Sequence, residues 1–242
     1  VYHDALHGDV IGGYARLADE GRIELITTAA THGYLPLMEV CPSAARAQII
    51  AAASYYRNTF GHGPRGMWLP ECGYYPGVDA YLREAGVRYF FTDAHGIENA
   101  SPRPRYGVYA PIYCPSGVAA FGRDMESSKQ VWSAHEGYPG DFDYREFYRD
   151  IAYDLDWDYI RPFMGGCPAR THTGIKYYRV TARTEHKQPY VREWAVNKAA
   201  THAGNFVFNR ERQIEHLASV MDTKPIVVAP YDAGVFGHWW FE

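Results

Sequence analysis

The chain has 242 residues, of which 47% are hydrophobic and 21% are charged, and its formal net charge at neutral pH is -4. This length and apolar content suit one large α/β domain or two small ones. A small net charge without blocks of like charge argues against a nucleic-acid partner, and no stretch approaches the roughly 20 apolar residues that a membrane span needs.

The first half of the chain alternates between helical and strand patterns. The predicted helices cover residues 10–20, 42–60 and 76–86. The predicted strands cover residues 22–28, 66–70 and 87–92. Strands that alternate with helices indicate a parallel sheet, either open or closed into a barrel.

The second half of the chain is less regular. Residues 97–142 hold many Pro and Gly and show few clear periods, which is typical of a lid or binding loop. Further along the chain we predict a helix over 143–153, a strand over 173–180, a long helix over 190–221 and a last strand over 224–230.

The cysteines are few and widely spaced. None of the four belongs to a CxxC pair: Cys41, Cys72, Cys114 and Cys167. This pattern favours free thiols in a reducing cytosol over a disulfide framework, and structural zinc usually needs closely spaced Cys or His pairs. We therefore expect a cytoplasmic protein without a structural metal.

Polar side chains follow several of the predicted strands. They are His32, Glu71, Asp93, His95, Asp232 and His238. Because the C-terminal ends of parallel strands meet on one face, we expect these side chains to converge there. A metal site built from His32, Asp93, His95 and His238 is conceivable, but no HxH or HExxH spacing supports it.

Two of these residues are acids set among aromatics. Glu71 lies within residues 66–74, and Asp232 precedes the aromatic run 236–242. Glycoside chemistry needs one carboxylate to attack the sugar and a second to donate a proton, with aromatic faces to hold the rings. The alternatives are structural, since Glu71 could sit in the first turn of the next helix and Asp232 could cap a helix starting near 233.

Aromatic residues are abundant, at 16% of the chain with 21 Tyr and 6 Trp. Some must fill the core, but many lie beside Gly and Pro in segments such as 73–76 and 136–141. Aromatics in loops face a ligand groove more often than aromatics in periodic segments. The composition therefore favours aromatic side chains that face a ligand groove.

Long motifs in this chain resemble glycoside hydrolase family 57. Residues 23–37 resemble a conserved region of that family, residues 68–74 its nucleophile region, and residues 229–232 with 236–242 its acid/base region. Residues 131–133 with 137–141, and residues 173–179, resemble its branching-enzyme subgroup. Together the motifs extend over essentially the whole chain.

The resemblance implies a retaining α-glucan enzyme on an incomplete (β/α)7 barrel, with the active site at the C-terminal strand ends. It implies Glu71 as nucleophile and Asp232 as general acid/base. The implied reaction is 1,4-α-glucan branching in glycogen or α-glucan synthesis, in which an α-1,4 bond is cut and the glucan is passed to a 6-hydroxyl. It implies no metal or organic cofactor.

The resemblance also implies partners and substrate contacts. The partner is an α-glucan such as amylose, amylopectin or glycogen, and the protein is expected to be a monomer. The substrate contacts are expected from His32, Trp68, Asp93, His95, Trp132, His238, Trp239 and Trp240.

The chain departs from the family pattern in three places. It has no equivalent of the family's opening His-bearing strand, it stops where the family continues into a helical region, and it has Gly234-Val235 where the family carries an acid and a Leu. We therefore expect residues 1–242 to be a fragment of a catalytic barrel, with 97–142 as its lid.

Two alternatives remain for the activity. One is an α-amylase-like hydrolase of the same family, in which the two carboxylates would be identical. The other is a non-catalytic glucan-binding fragment, which the Trp and Tyr content would also fit.

Overall fold

The computed structural model describes residues 2–242, with the side chain of His238 outside the described part. The chain divides into two compact units. The first comprises the chain through Arg123 together with Met221–Val228, and the second comprises Asp124–Val220 and Ala229–Glu242.

The first unit is a helix-covered sheet. Its helices are α1 (Val10–Asp19), α2 (Pro42–Phe60), α3 (Val78–Glu84) and α4 (Ala94–Glu98). Helix α2 has both of its predicted ends, because Pro42 supplies a preset φ in the first turn and Gly61 ends the helix with a left-handed φ of 78°.

The sheet of the first unit is open and mostly parallel. Its strands are β1 (Gly66–Trp68), β2 (Tyr89–Thr92), β3 (Ile112–Tyr113) and β4 (Ala119–Gly122). The spatial order is β1-β2-β4-β3, in which β1 with β2 and β2 with β4 pair in parallel and β3 is antiparallel to β4. The α/β class and the parallel sheet are confirmed.

The two faces of this sheet differ in burial. Met67, Phe90 and Ala120 are buried in one apolar cluster that also holds Ile49 of α2 and Leu82 of α3. Trp68 on β1 and the alternate residues on β2 and β4 are half-buried on the opposite face, whereas Gly66 is buried. Period-2 alternation along each strand therefore directs one face to the core.

The second unit contains five α-helices among the residues described. They are α5 (Met125–Trp132), α6 (Ile151–Asp154), α7 (Trp157–Ile160), α8 (Arg192–Val220) and α9 (Val235–His238). Its apolar cluster is small, consisting of Ala152, Ile160 and Met164 with partly buried neighbours. The long helix predicted over 190–221 is confirmed as α8.

Buried polar side chains supply much of the order in the second unit. Asp150 is fully buried. Its carboxylate accepts hydrogen bonds from the backbone N–H groups of Ala152, Thr173 and Gly174 at 3.0, 3.1 and 2.9 Å. These bonds tie residues 173–174 to the start of α6 without a strand ladder.

Several secondary-structure predictions are wrong. The helix over 143–153 is reduced to α6, because Asp150 caps a helix that begins only at Ile151. Residues 173–180 form isolated bridges, including Tyr178 with Pro189, in the described structure instead of a strand. The strand over 224–230 is also wrong, since Ile226 donates a single hydrogen bond to the Tyr109 carbonyl at 3.0 Å and no ladder follows in the described residues.

The remaining differences concern residues 22–28 and 97–142. Of the strand predicted over 22–28, only Thr27 pairs, in a parallel bridge to Met67, within the described residues. The stretch 97–142 was expected to be irregular, yet it contributes β3, β4 and α5. Its short strands are flanked by Pro and Gly and are too brief to show a period. No helix among the described residues is long and apolar enough to cross a membrane.

Candidate active site

Glu71 lies in a tight turn immediately after β1. The turn Pro70–Cys72 holds Glu71 and Cys72 in the left-handed region, with φ of 51° and 58°. For a residue other than glycine this conformation costs about 1–3 kcal/mol and persists only where the surroundings enforce it. The Glu71 side chain is 77% exposed, so the turn presents a carboxylate to solvent at the end of the strand.

His32 faces Glu71 from the segment that follows Thr27. The His32 Nε2 lies 3.4 Å from the Glu71 Oε1. His32 is also left-handed, with φ of 54°. The structure thus brings together two of the residues predicted at strand ends. Both have an energetically unfavourable left-handed backbone conformation.

Two neighbouring segments hold the Glu71 turn in place. The Thr92 hydroxyl at the end of β2 donates to the Cys72 carbonyl at 3.3 Å. On the other side, a Cβ at Gly73 would lie 2.4 Å from the Tyr34 ring and 2.8 Å from Pro36. Glycine at position 73 therefore permits direct contact between the Glu71 turn and the His32 segment.

The His32 segment is clamped to α2 by Gln48. The Gln48 side chain donates to the Thr31 hydroxyl at 2.8 Å and accepts from the Thr31 N–H at 2.9 Å. Downstream of His32, Leu35 is fully buried in the apolar cluster of the first unit. Both ends of the segment are therefore anchored, and the backbone of His32 is fixed.

Asp93, His95 and Arg123 lie at the ends of the next strands. Asp93 caps α4 by accepting from the Ala94 N–H at 2.8 Å, and the exposed His95 has its Nδ1 3.9 Å from the Asp93 Oδ2. Arg123, after β4, has its Nη2 3.7 Å from the Cys72 Sγ. Burial raises the pKa of the Cys72 thiol, the Arg123 charge opposes this rise, and the Asp93 and Glu71 charges add to it.

The strand-end reasoning placed Asp93 and His95 but missed three side chains of this region. They are Thr28, Gln48 and Arg123, which contact His32, Thr31 and Cys72; Thr28 and Gln48 carry no sequence signal of their own. Arg123 would have been found had β4 been recognised, because it follows that strand directly. Trp68 is on β1, with its ring 6.2 Å from that of Phe91, so its observed contact is with the sheet.

Asp232 lies in the second unit and is exposed. Its chain segment is fastened to α5 by two hydrogen bonds in opposite directions. The Tyr231 hydroxyl donates to the Ser127 carbonyl at 3.0 Å, and the Trp132 Nε1 donates to the Pro230 carbonyl at 3.4 Å. Trp132 and the Asp232 segment are thereby brought together within the second unit.

The capping alternatives for the two acids are wrong. Helix α3 begins at Val78 with Gly77 as its cap, several residues beyond Glu71. Helix α9 has Gly234 at its cap position, without a side-chain cap, so Asp232 does not serve that purpose. Neither carboxylate has the structural role that its position in the sequence allowed.

The tryptophans after Asp232 have different surroundings. Trp239 stacks on Phe147 with ring centroids 4.3 Å apart and planes 4° apart. Trp240 lies 5.2 Å from Tyr144 and 6.2 Å from Tyr138, and it lines a mostly apolar cavity of about 510 Å³ in the second unit. The side chain of His238 falls outside the described part, so its contact with substrate stays a prediction.

The described side chains include no group of three His, Cys, Asp or Glu that could hold a metal ion. All four cysteines are free thiols. Glu71 belongs to the first unit and Asp232 to the second. The carboxyl separation of about 5–5.5 Å that a retaining mechanism requires stays a prediction.

Comparison with known proteins defines the class of this chain. Residues 2–224 match glycosyl hydrolase family 57. The chain belongs to glycosyl hydrolase family 57.

Individual relatives cover the whole chain but extend well beyond it. A 1,4-alpha-glucan branching enzyme of Thermococcus kodakarensis is 37% identical over 270 residues, a match that covers 100% of this chain and 37% of the relative. The solved branching enzyme of Pyrococcus horikoshii is 36% identical with a TM-score of 0.82, covering 100% of this chain and 44% of that one.

A third relative is named for a different activity. The solved alpha-amylase AmyC of Thermotoga maritima is 44% identical with a TM-score of 0.87, covering 99% of this chain and 47% of that chain. The chain thus spans less than half the length of each of these relatives. The likeness to solved family members, together with the open parallel sheet, confirms the predicted incomplete barrel.

Proposed function

We propose that this chain carries catalytic machinery of a retaining 1,4-α-glucan branching enzyme. The observation that supports it most is the left-handed turn that presents Glu71 to His32 at 3.4 Å. Strained backbone of this kind clusters at functional sites, where the surrounding structure enforces it. The similarity to branching enzymes of two archaea gives the class of reaction.

In the proposed mechanism Glu71 attacks the anomeric carbon of an α-1,4-linked glucose while Asp232 protonates the departing oxygen. The glucan is then held covalently on Glu71. Asp232 next removes the proton from a 6-hydroxyl of another glucan chain, which attacks the anomeric carbon and releases Glu71. Two displacements retain the α configuration.

The remaining predicted residues would hold the glucan. Trp132, Trp239 and Trp240 offer aromatic faces for sugar rings, while Asp93 and His95 would bind hydroxyl groups. The substrate would be amylose, amylopectin or glycogen, in glycogen or α-glucan synthesis in the cytoplasm. We propose a monomer without a nucleic-acid partner.

Transfer requires that the covalent intermediate meet a sugar hydroxyl before it meets water. We assign this shielding to the part of 97–142 outside the sheet, which includes Tyr106 and Tyr109. Tyr113 and Phe121 also fall within 97–142, but they lie on β3 and β4 and are held by the sheet.

Hydrolysis is the second candidate activity, since the amylase AmyC is 44% identical to this chain. Amylose incubation followed by iodine staining and enzymatic debranching separates the two. Branching lowers iodine colour and yields short chains only after debranching, whereas hydrolysis releases reducing ends directly. If the products have new reducing ends but no α-1,6 bonds, the activity is hydrolysis and the branching proposal is wrong.

Replacement of Glu71 tests whether the chain is an enzyme at all. We expect Glu71→Gln to lower the rate of glucan conversion by at least about 10³-fold, because the amide cannot form the covalent intermediate. Amylose affinity, measured by calorimetry, should persist. Glu39→Gln, an exposed acid of the same unit, is the control and should keep the parent rate. A parent that binds amylose without converting it would identify a glucan-binding module instead.

A further inference from the structure

The polar contacts of His32 form a line of three side chains. The Thr28 Oγ1 lies 3.2 Å from the His32 Nδ1, and the His32 Nε2 lies 3.4 Å from the Glu71 Oε1. Each ring nitrogen of His32 therefore has one partner. The partner of Nε2 is the proposed nucleophile, and the partner of Nδ1 is a hydroxyl with no role in the mechanism above.

The chemistry of these partners fixes the protons on the ring. An ionised carboxylate is acceptor-only, so the bond to Glu71 requires a proton on Nε2. A neutral imidazole then carries a lone pair on Nδ1, which can only accept. The Thr28 hydroxyl must consequently donate to Nδ1, and the line runs from Thr28 through His32 to Glu71 with one donor at each step.

The position of Thr28 is set by the same strand that carries Glu71. The neighbouring Thr27 pairs with β1 through two backbone hydrogen bonds, in which Thr27 accepts from the Trp68 N–H at 2.8 Å and donates to the Gly66 carbonyl at 3.3 Å. Glu71 follows β1 three residues after Trp68. Both ends of the line are thus tied to β1, and the ring of His32 is held between them.

We propose that Thr28 is a positioning residue that donates to Nδ1 and thereby holds the Nε2–H edge of the His32 ring toward Glu71. Without the hydroxyl, Nδ1 loses its partner, and in the described structure the side chain of this half-exposed ring is held through the 3.4 Å contact of Nε2 with Glu71. The ring would then lose its fixed orientation toward the carboxylate. The catalytic part of this inference rests on the proposed role of Glu71, whereas the hydrogen bond to Nδ1 does not.

The tautomer can be read directly from nitrogen chemical shifts. We would record long-range ¹H–¹⁵N spectra of ¹⁵N-histidine-labelled protein at pH 8, assigning His32 by its loss in His32→Gln. The parent should show a protonated Nε2 and an unprotonated Nδ1. Thr28→Val, which removes the hydroxyl and keeps the shape, should move the Nδ1 shift to that of a lone pair without a hydrogen bond, and Thr28→Ser should restore the parent pattern.

Thr31→Val is the matched control, because the Thr31 hydroxyl lies in the same segment but bonds to Gln48. It should keep the parent shifts. A parent Nδ1–H tautomer, or parent shifts in Thr28→Val, would overturn the proposal. The parent spectrum is decisive even if Thr28→Val fails to fold.

Kinetics on amylose test the consequence for the nucleophile. We expect Thr28→Val to lower kcat by about 10-fold with little change in KM, since a misoriented catalytic group affects the transition state more than binding. Thr28→Ser should recover most of the loss. A changed Nδ1 shift with parent kcat would overturn the positioning role. Absence of turnover in the parent would instead count against the proposed function, and the spectra would still decide the role of Thr28.

Discussion

The two units of this chain obtain their order in different ways. The first packs the face of a sheet against helices in one large apolar cluster. The second has a small apolar cluster and relies on buried polar groups such as Asp150, Glu146 and Asp124. Apolar packing is non-directional, whereas a buried carboxylate must find donors at fixed positions. The first unit therefore depends on buried apolar volume, and the second depends on particular polar partners.

The polar contacts of the second unit are mutually supporting. Glu146 and Lys187 form a largely buried ion pair at 2.9 Å. Asp124 accepts from the Gln213 side chain at 3.0 Å and from the Ser127 N–H at 2.8 Å, which joins α5 to α8. Removing one partner from such a pair leaves a buried polar group without its partner. A mutation of that kind should therefore lower the free energy of unfolding.

Asp150→Ala should give the largest loss of stability. It removes the acceptor of several buried N–H groups and of the nearby Lys176 charge, and we expect a loss of about 3–5 kcal/mol in the free energy of unfolding. Hydrogen exchange read by mass spectrometry should show lost protection in the second unit, including residues 143–180. Asp158→Ala, at an exposed acid, is the control and should change stability by less than about 0.5 kcal/mol. Equal loss of protection in both units would contradict the comparison.

Ile49→Ala should have an effect of similar or smaller size in the other unit. Ile49 is fully buried on α2, and truncating such a residue typically costs about 2–5 kcal/mol through lost burial and a cavity. Exchange should increase in α2 and the sheet. Leu37→Ala, at a side chain that is 76% exposed, should stay near the parent stability. A null effect at Ile49 would show that the apolar cluster does not hold the first unit together.

The smallest expected effect concerns pH and His202. Burial lowers the pKa of His202, opposed by the Asp141 charge and assisted by Lys198. The folded state then binds fewer protons than the unfolded state, so stability is complete above the ordinary histidine value of about 6.5 and falls as pH drops below it. Chemical denaturation at pH 8 and pH 5.5 should show this decrease, and His202→Gln should reduce it. An equal decrease in His202→Gln would assign the effect to other groups.

The same contrast explains what the sequence could predict. In the first unit α2 was bounded correctly, because Pro42, Gly61 and an apolar face at helical spacing are all local signals. In the second unit 143–153 and 173–180 were assigned wrongly, because their conformation follows from contacts of Asp150 with residues more than twenty positions away. The periodicity of a sequence indicates which apolar side chains are buried. It does not indicate long-range hydrogen bonds such as those of Asp150.

Part of the candidate site could likewise be predicted from the sequence, and part could not. The proximity of Glu71 and His32 followed from strand ends that meet on one face, and the structure confirms it. The left-handed backbone of both residues and the contact of the Thr28 hydroxyl with His32 were not predictable. Neither feature gives a signal in composition or spacing. What escaped prediction is the support of the site, whereas the catalytic roles of the predicted residues stay predictions.

The most direct test of the account is covalent trapping of the proposed intermediate. With an activated, fluorinated maltosyl donor, the covalent glycosyl enzyme should form faster than it breaks down. It should then accumulate with one glycosyl unit added to the protein. Peptide mass spectrometry should place that adduct on Glu71, and Glu71→Gln should prevent it. An adduct on a different carboxylate, or glucan conversion by the parent with inversion at the anomeric carbon, would contradict the account.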